Sequence, residues 1–478
     1  MSRRPSSVNF WQSVGARFLP FADAASNTLP LARILRLALF QVSVGIAAVL
    51  LNGTLNRVMI VELETPAWVV ALMIAIPLLI APFRALIGYR SDTHISVLGW
   101  RRVPYIWFGT MAQFGGLAIM PFALVLLTRP DTFPVGLGAC CLSFLLTGAG
   151  MHVTQTAGLA LATDIAAEDK RPSVVALLYV MLLAGMMLAA FTIGNLLADF
   201  STTRLVQVIQ GAAALTIILN IAALWKQEAR HTALITADIV NPGFFTMWAS
   251  FTGQPNAKRL LLAIGVGAMA FAMQDALLEP YGGEILGLSV GSTTSLTGAW
   301  ALGALIAFAF CAKRLPGGSD PLRLAGFGVV AGVVAFLITL FAGPLAMPPM
   351  LFAGAAAIGF GTGLFSVGTM IAAMSLAQDG SAGMALGAWG AVQASAAGLG
   401  IALGGLIRDG MTQIAMSSAM GTTLADRGTG YSAVYTLEVV LLLITLLVLG
   451  PIVGQAIGFN QSKSSAARRG LELQEFPT

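Results

Sequence analysis

Charge is what this chain has least of. Only 10% of its 478 residues are Asp, Glu, Lys or Arg, against roughly 25% in a soluble domain. Cysteine is as scarce: Cys140 and Cys141 are adjacent, and Cys311 stands alone in another apolar run. Three thiols so placed make no disulfide framework and read as small buried apolar residues. Histidine occurs three times, at His94, His152 and His231. There is no paired-histidine metal helix and no phosphate-binding glycine loop followed by lysine. With no segment large enough for a catalytic domain, an enzyme is not expected. The net charge of +5 is too small to suggest nucleic acid. Residues 1–33 lack the continuous apolar core of a cleaved signal peptide. Phe10, Trp11, Val14, Phe18 and Phe21 instead recur at near-helical spacing. That pattern fits a short cytoplasmic helix lying in the membrane interface; an ordinary tail is the alternative.

What the chain has is apolar length. Hydrophobic residues make up 57% of it, in runs of about 20 that can cross a bilayer. The runs predict an all-α integral membrane protein with about twelve spans. Their approximate bounds are 35–61, 66–89, 104–127, 135–161, 173–197, 205–225, 259–280, 289–311, 322–342, 350–376, 383–407 and 433–456. Breakers such as Thr65-Pro66, Arg171-Pro172 and Pro348-Pro349 separate them. With the N-terminus placed in the cytoplasm, the cytoplasmic segments hold all the Lys and Arg except Arg57, Arg129, Arg204, Arg408 and Arg427. The positive-inside rule therefore predicts that both termini are cytoplasmic.

The chain divides as 1–33, a six-span half 34–225, a cytoplasmic linker 226–258, a second half 259–456 and a tail 457–478. The halves read as repeats. Asn52, Arg57 and Glu62 match Gln274, Glu279 and Glu284 at one constant offset, which also carries Arg101 onto Arg323. LALATD, ending at Asp164, is similar to MSLAQD, ending at Asp379; GNLLAD, ending at Asp199, is similar to GGLIRD, ending at Asp409. Two pseudo-symmetric six-helix halves resemble the major facilitator plan, with polar sites near the midplane. The loop residues Gly88, Asp92, Gly99, Arg101 and Arg102 resemble that superfamily's signature between spans 2 and 3, and His94 of the same cytoplasmic loop reads as a loop hydrogen-bonding residue.

One stretch breaks the apolar rule. FAMQDALLEPYGGE, Phe271–Glu284, puts Gln274, Asp275 and Glu279 ahead of Pro280 and two glycines. Its counterpart is LNGTLNRVMIVELE in span 1, with Asn52, Asn56 and Arg57. Intramembrane ionisable groups face a partner or a wet cavity. The expectation is that Arg57 meets Glu279, or Asp275, across the two halves near the outer mouth; reaching interface water is the alternative.

The strings LNGTLNRVMIVEL, GYRSDTHISVLGWRRVPYIWFGT, GMHVTQTAGLALATD and QDALLEPYGGEILGLSVGSTTSLTGAW resemble the PucC/LhaA family of phototrophic bacteria, over nearly all of residues 34–456. The resemblance implies a facilitator-type fold serving light-harvesting complex assembly in the inner or intracytoplasmic membrane. It implies delivery of bacteriochlorophyll to the antenna alpha and beta polypeptides, and the long aromatic N-terminal segment points to the core-antenna branch. The reaction centre, the bacteriochlorophyll synthesis machinery and membrane lipid are further expected partners; carotenoid or lipid are alternative ligands.

A magnesium tetrapyrrole needs an apolar slot and one nitrogen or oxygen donor. His152, the only histidine inside a predicted span, stands beside Gly148, Gly150 and Gly158, with Gln155 nearby. Small residues admit a ring or a neighbouring helix, so His152 is either a pigment ligand or an interhelical hydrogen-bonding residue. Asn52, Asn56 and Gln274 are further candidate donors. Asp275, Glu279, Glu284 and Glu438 support a rival reading, a proton-linked exporter of a small amphiphile. A pigment-free antenna chaperone is a third.

Overall fold

The computed structural model describes residues 30–80, 100–167, 170–228, 252–254, 256–315, 318–375, 382–417 and 426–453. Every long element is a helix. Span 1 is Leu31–Glu62, span 2 begins as Ala67–Leu79, span 3 is Val103–Leu127 and span 4 Phe133–Ile165. Span 5 is Arg171–Leu196, span 6 Thr202–Leu224, span 7 Ala257–Glu284 and span 8 Val290–Arg314. Spans 9 to 12 are Pro321–Ala342, Pro348–Ser375, Ala382–Met416 and Gly428–Leu449. Eleven of these helices are long and apolar enough to cross a membrane; the twelfth, Ala67–Leu79, is apolar and shorter. The expected aromatic helix before residue 30, Gly88, Asp92, His94, Gly99, His231 and Asp379 lie outside the described residues.

Span 11 is the clearest departure from expectation. It runs to Met416, past residue 407 where Arg408 and Asp409 were expected to end it. Those charges do not terminate the helix because both are paired inside the bundle.

Spans 1 and 7 are the two irregular helices. Span 1 widens into π-helix at Val49–Leu55 and again at Val58–Glu62. Span 7 tightens into a 3₁₀ turn at Met273–Ala276 and restarts as Leu278–Glu284. Pro280 explains the second break. It has no N–H for the carbonyl of Ala276, and its ring would clash there in a continuous helix. Restarting at Leu278 puts Pro280 in a first turn, where the missing donor is tolerated. The unusual string thus bends its helix at the residues that carry its polar groups.

Consecutive spans alternate in direction, so twelve of them bring both described ends to one side of the bundle. The halves meet towards the opposite, far end. Gly194 near the end of span 5 and Gly291 at the start of span 8 lie backbone against backbone: a Cβ on Gly194 would sit 2.8 Å from the Gly291 carbonyl oxygen. Gly405 of span 11 presses on span 2, where a Cβ would lie 2.9 Å from both the Ala67 carbonyl oxygen and Trp68 Cα. Small residues permit this approach of helices.

Candidate functional site: the polar junction between the halves

The irregular segments of spans 1 and 7 face each other. Asn56, fully buried, donates from Nδ2 to Glu279 Oε2 at 3.3 Å and to the Asp275 carbonyl at 3.5 Å. Thr297 of span 8 donates to the other oxygen of Glu279 at 2.7 Å. Gln274 Nε2 donates to Asp275 Oδ1. One turn along span 1, Thr54 and Thr294 share a hydrogen bond of 3.1 Å. Glu279 is therefore held by two neutral donors, one from each half.

Arg57 is not its partner, contrary to expectation. Nη1 of Arg57 binds Glu62 on its own span at 2.7 Å. Nη2 crosses the interface to the Leu288 carbonyl at 3.2 Å. The guanidinium lies flat on Gly283, where a Cβ would stand 2.7 Å from Nε. A π-turn adds a residue per helical turn and rotates Asn56, not Arg57, toward Glu279. Arg57 still joins the halves, through a backbone carbonyl.

Glu284 has a partner that the sequence reading did not assign. Arg408 of span 11 is 8% exposed and binds Glu284 through Nη2 and Asp409 through Nη1, the latter at 2.7 Å. Tyr431 of span 12 donates to Glu284 at 3.0 Å, and the guanidinium stacks 4.7 Å from its ring centre. Asp409 then accepts from the backbone N–H of Trp68 at 2.9 Å. It caps the N-terminus of span 2 from the other half of the protein, satisfying a donor that the helix itself cannot. The adjacent charges in GGLIRD were the available signal.

Glu438 of span 12 lies at 0% exposure, with neither carboxylate oxygen hydrogen-bonded among the described residues. Gln274 Oε1 and the Tyr435 hydroxyl are likewise buried and unsatisfied.

The span 4 candidates sit apart from this junction. His152 is half-buried, and its carbonyl accepts from Thr156 at 2.7 Å. Gln155 donates to Gln41 of span 1 at 3.4 Å. The glycines beside them are covered: Gly148 by Pro77, Gly150 by the backbone of Gly109 and Gln113, and Gly158 by the Phe40 ring. The glycine face expected to admit a ring is packed by helices and offers no slot, so a pigment at His152 would have to approach by another face. Asn52 is half-buried on span 1. No group of three His, Cys, Asp or Glu residues suited to a metal ion occurs among the described residues.

The loop motif is described only at its end. Arg102 Nε pairs with Asp164 at 2.9 Å. Glu228, from beyond span 6, accepts from the N–H groups of Arg101, Arg102 and Val103 at 2.7–3.1 Å. An acid there caps span 3 and meets its positive dipole end; the sequence reading did not assign it.

The fold is that of major-facilitator transporters. A bacterial homologue of the human lysosomal transporter Spinster, solved inward-facing and unoccupied, superposes with a TM-score of 0.65 at 14% identity, covering 91% of this chain and 98% of that one. Protein PucC of Rhodovulum sulfidophilum is 53% identical over 423 residues, 86% of this chain and 93% of that protein. A more distant relative, the bacteriochlorophyll synthase 44.5 kDa chain of Rhodobacter capsulatus, is 28% identical over 393 residues, 78% of this chain and 86% of that one. Residues 54–457 match the profile of the family described as PUCC protein. That match takes in both halves and the polar junction between them, and the chain belongs to the PUCC protein family.

Proposed function

We propose that the protein is an assembly factor for bacterial light-harvesting antenna. It binds bacteriochlorophyll and delivers it to antenna alpha and beta polypeptides, those of the core antenna in particular, with both termini in the cytoplasm. The observation that carries this reading is the family match over residues 54–457; the relative whose name refers to bacteriochlorophyll synthesis supports the choice of pigment. The half-buried His152 can supply one axial ligand to the pigment's magnesium. A single donor outside the packed glycine face suits cargo that must later be released.

The test is the visible spectrum of protein purified from a pigment-producing host. A stoichiometric bacteriochlorophyll band, lowered in His152→Leu while the folded protein persists, supports delivery. Unchanged pigment in that variant moves the site to Asn52, Asn56 or Gln274. A colourless protein that co-purifies with antenna helices is a pigment-free chaperone. A colourless protein with proton-driven uptake in vesicles is an exporter using its buried acids.

A further inference from the structure

Spans 5 and 6 diverge on the membrane-facing side of the first half, leaving a groove of about 810 Å³ floored by Val42 and Ile46 of span 1. Its walls are apolar and open to the bilayer: Leu188 is 63% exposed and Leu215 44%. Gly211 forms part of one wall, and a Cβ there would meet nothing within 4 Å.

The groove is polar at one end only. Asn195 and Gln207 line its mouth beside Asp199 and Arg204, at the turn joining spans 5 and 6. Arg204 Nη1 lies 3.5 Å from Asp199 Oδ2 and 3.0 Å from its carbonyl. The side chains of Arg204 and Asp199 are 45% and 96% exposed, so both charges stay accessible. From Gly185 to Asn195 span 5 rises about 15 Å at its usual pitch, half of a hydrocarbon core about 30 Å thick. The groove therefore serves one leaflet, with an acyl chain's length of apolar wall below a cation and an anion side by side.

We propose that this groove binds one zwitterionic glycerophospholipid in the leaflet away from the chain termini. The phosphate lies on Arg204, the ammonium on Asp199, and one acyl chain runs between spans 5 and 6 onto span 1. An anionic lipid would satisfy Arg204 and be repelled by Asp199; charge complementarity selects a head carrying both signs. The site is separate from the polar junction and does not depend on the pigment reading.

Native mass spectrometry of the full chain, titrated with phosphatidylethanolamine or phosphatidylglycerol, tests it. One phosphatidylethanolamine should be retained per chain, with phosphatidylglycerol about tenfold weaker, a preference of about 1.4 kcal/mol. Gly211→Phe fills open space, so it should fold normally and lose the lipid. Asp199→Asn should erase the preference between the two lipids, and Arg204→Gln should weaken both. Equal retention of both lipids by the parent protein overturns the proposal. So does phosphatidylethanolamine binding unchanged in Gly211→Phe, or in Asp199→Asn and Arg204→Gln if Gly211→Phe does not fold.

Discussion

Replacing Arg408 with glutamine should open the far end of the molecule. Among the described residues Arg408 is the one cation in contact with both Glu284 and Asp409, whose side chains are 11% and 14% exposed. Removing one partner from a buried charged group typically costs 3–5 kcal/mol, because the other charge is left uncompensated. Two residual contacts moderate the loss: Tyr431 still donates to Glu284, and the Trp68 N–H still donates to Asp409. The expected loss is therefore about 3 kcal/mol, at the low end of that range. Glu284→Gln leaves Arg408 its Asp409 partner and should lose only about 1–2 kcal/mol, the scale of a hydrogen bond to a charged group. The double variant should lose less than the sum, with a coupling of about 1–2 kcal/mol. Equilibrium unfolding in mixed detergent micelles measures all three. A second readout concerns geometry: in a background lacking Cys140, Cys141 and Cys311, a cysteine at the fully buried Asn56 should react faster with an impermeant thiol reagent once Arg408 is replaced. A loss below about 1 kcal/mol together with unchanged labelling would show that Arg408 does not hold Asp409 in place as the cap on span 2.

Glu438→Gln should leave stability unchanged or raise it, since a buried carboxylate without a donor carries a desolvation penalty; the same unfolding assay refutes this if the variant loses more than about 2 kcal/mol. Thr297→Val should lose about 1–3 kcal/mol by leaving an oxygen of Glu279 unsatisfied, and the loss should vanish in a Glu279→Ala background, which has no acceptor, if the bond is its cause. Gly405→Leu should destabilise by about 1–3 kcal/mol through overpacking against span 2, which a melting curve reads directly. If the proposed function holds, antenna helices, as single spans, dock on lipid-facing surfaces, so photo-crosslinkers at Asn56 and Gln274 should capture little antenna polypeptide; efficient capture there, with none from the outer faces, contradicts that route.

Span count and the halving of the chain were legible because bilayer thickness imposes a length on each helix and breakers punctuate the runs. The Asn52–Glu62 and Gln274–Glu284 repeat falls on the two helices that carry π and 3₁₀ turns within them. The pairing within them was not legible. Residue spacing assumes a regular helix, and the π-turns of span 1 change which side chain faces the partner, so Arg57 gave way to Asn56. The partners of Arg408 were not legible for a different reason. Charge near the end of an apolar run marks an interface only if the charge is unpaired, and its partners Glu284 and Tyr431 are more than 20 residues away in sequence. The Gly148–Gly158 face was open to two readings because glycine admits a ring and a helix equally; Phe40 and Pro77 decide for helices.

The distribution of these groups bears on how a facilitator fold can serve an assembly task. A transporter has to break and remake the contacts at each end of its cavity in turn. Here the far end joins the halves through a cross-half helix cap, whose Asp409 is held by an ionic cluster within the second half, and through two close glycine contacts. Separating them would uncap span 2 and take from Asp409 its backbone donor. By contrast, Asn56–Glu279 and Thr54–Thr294 are single neutral or singly charged hydrogen bonds, each worth about 0.5–3 kcal/mol. Thr54, Asn56 and Glu279 lie on helices already made irregular by π and 3₁₀ turns. The junction can therefore shift within spans 1 and 7 while the far end stays closed. Such a shift would rearrange the contacts of spans 1 and 7 without opening the far end, a motion smaller than the alternation a transport cycle needs.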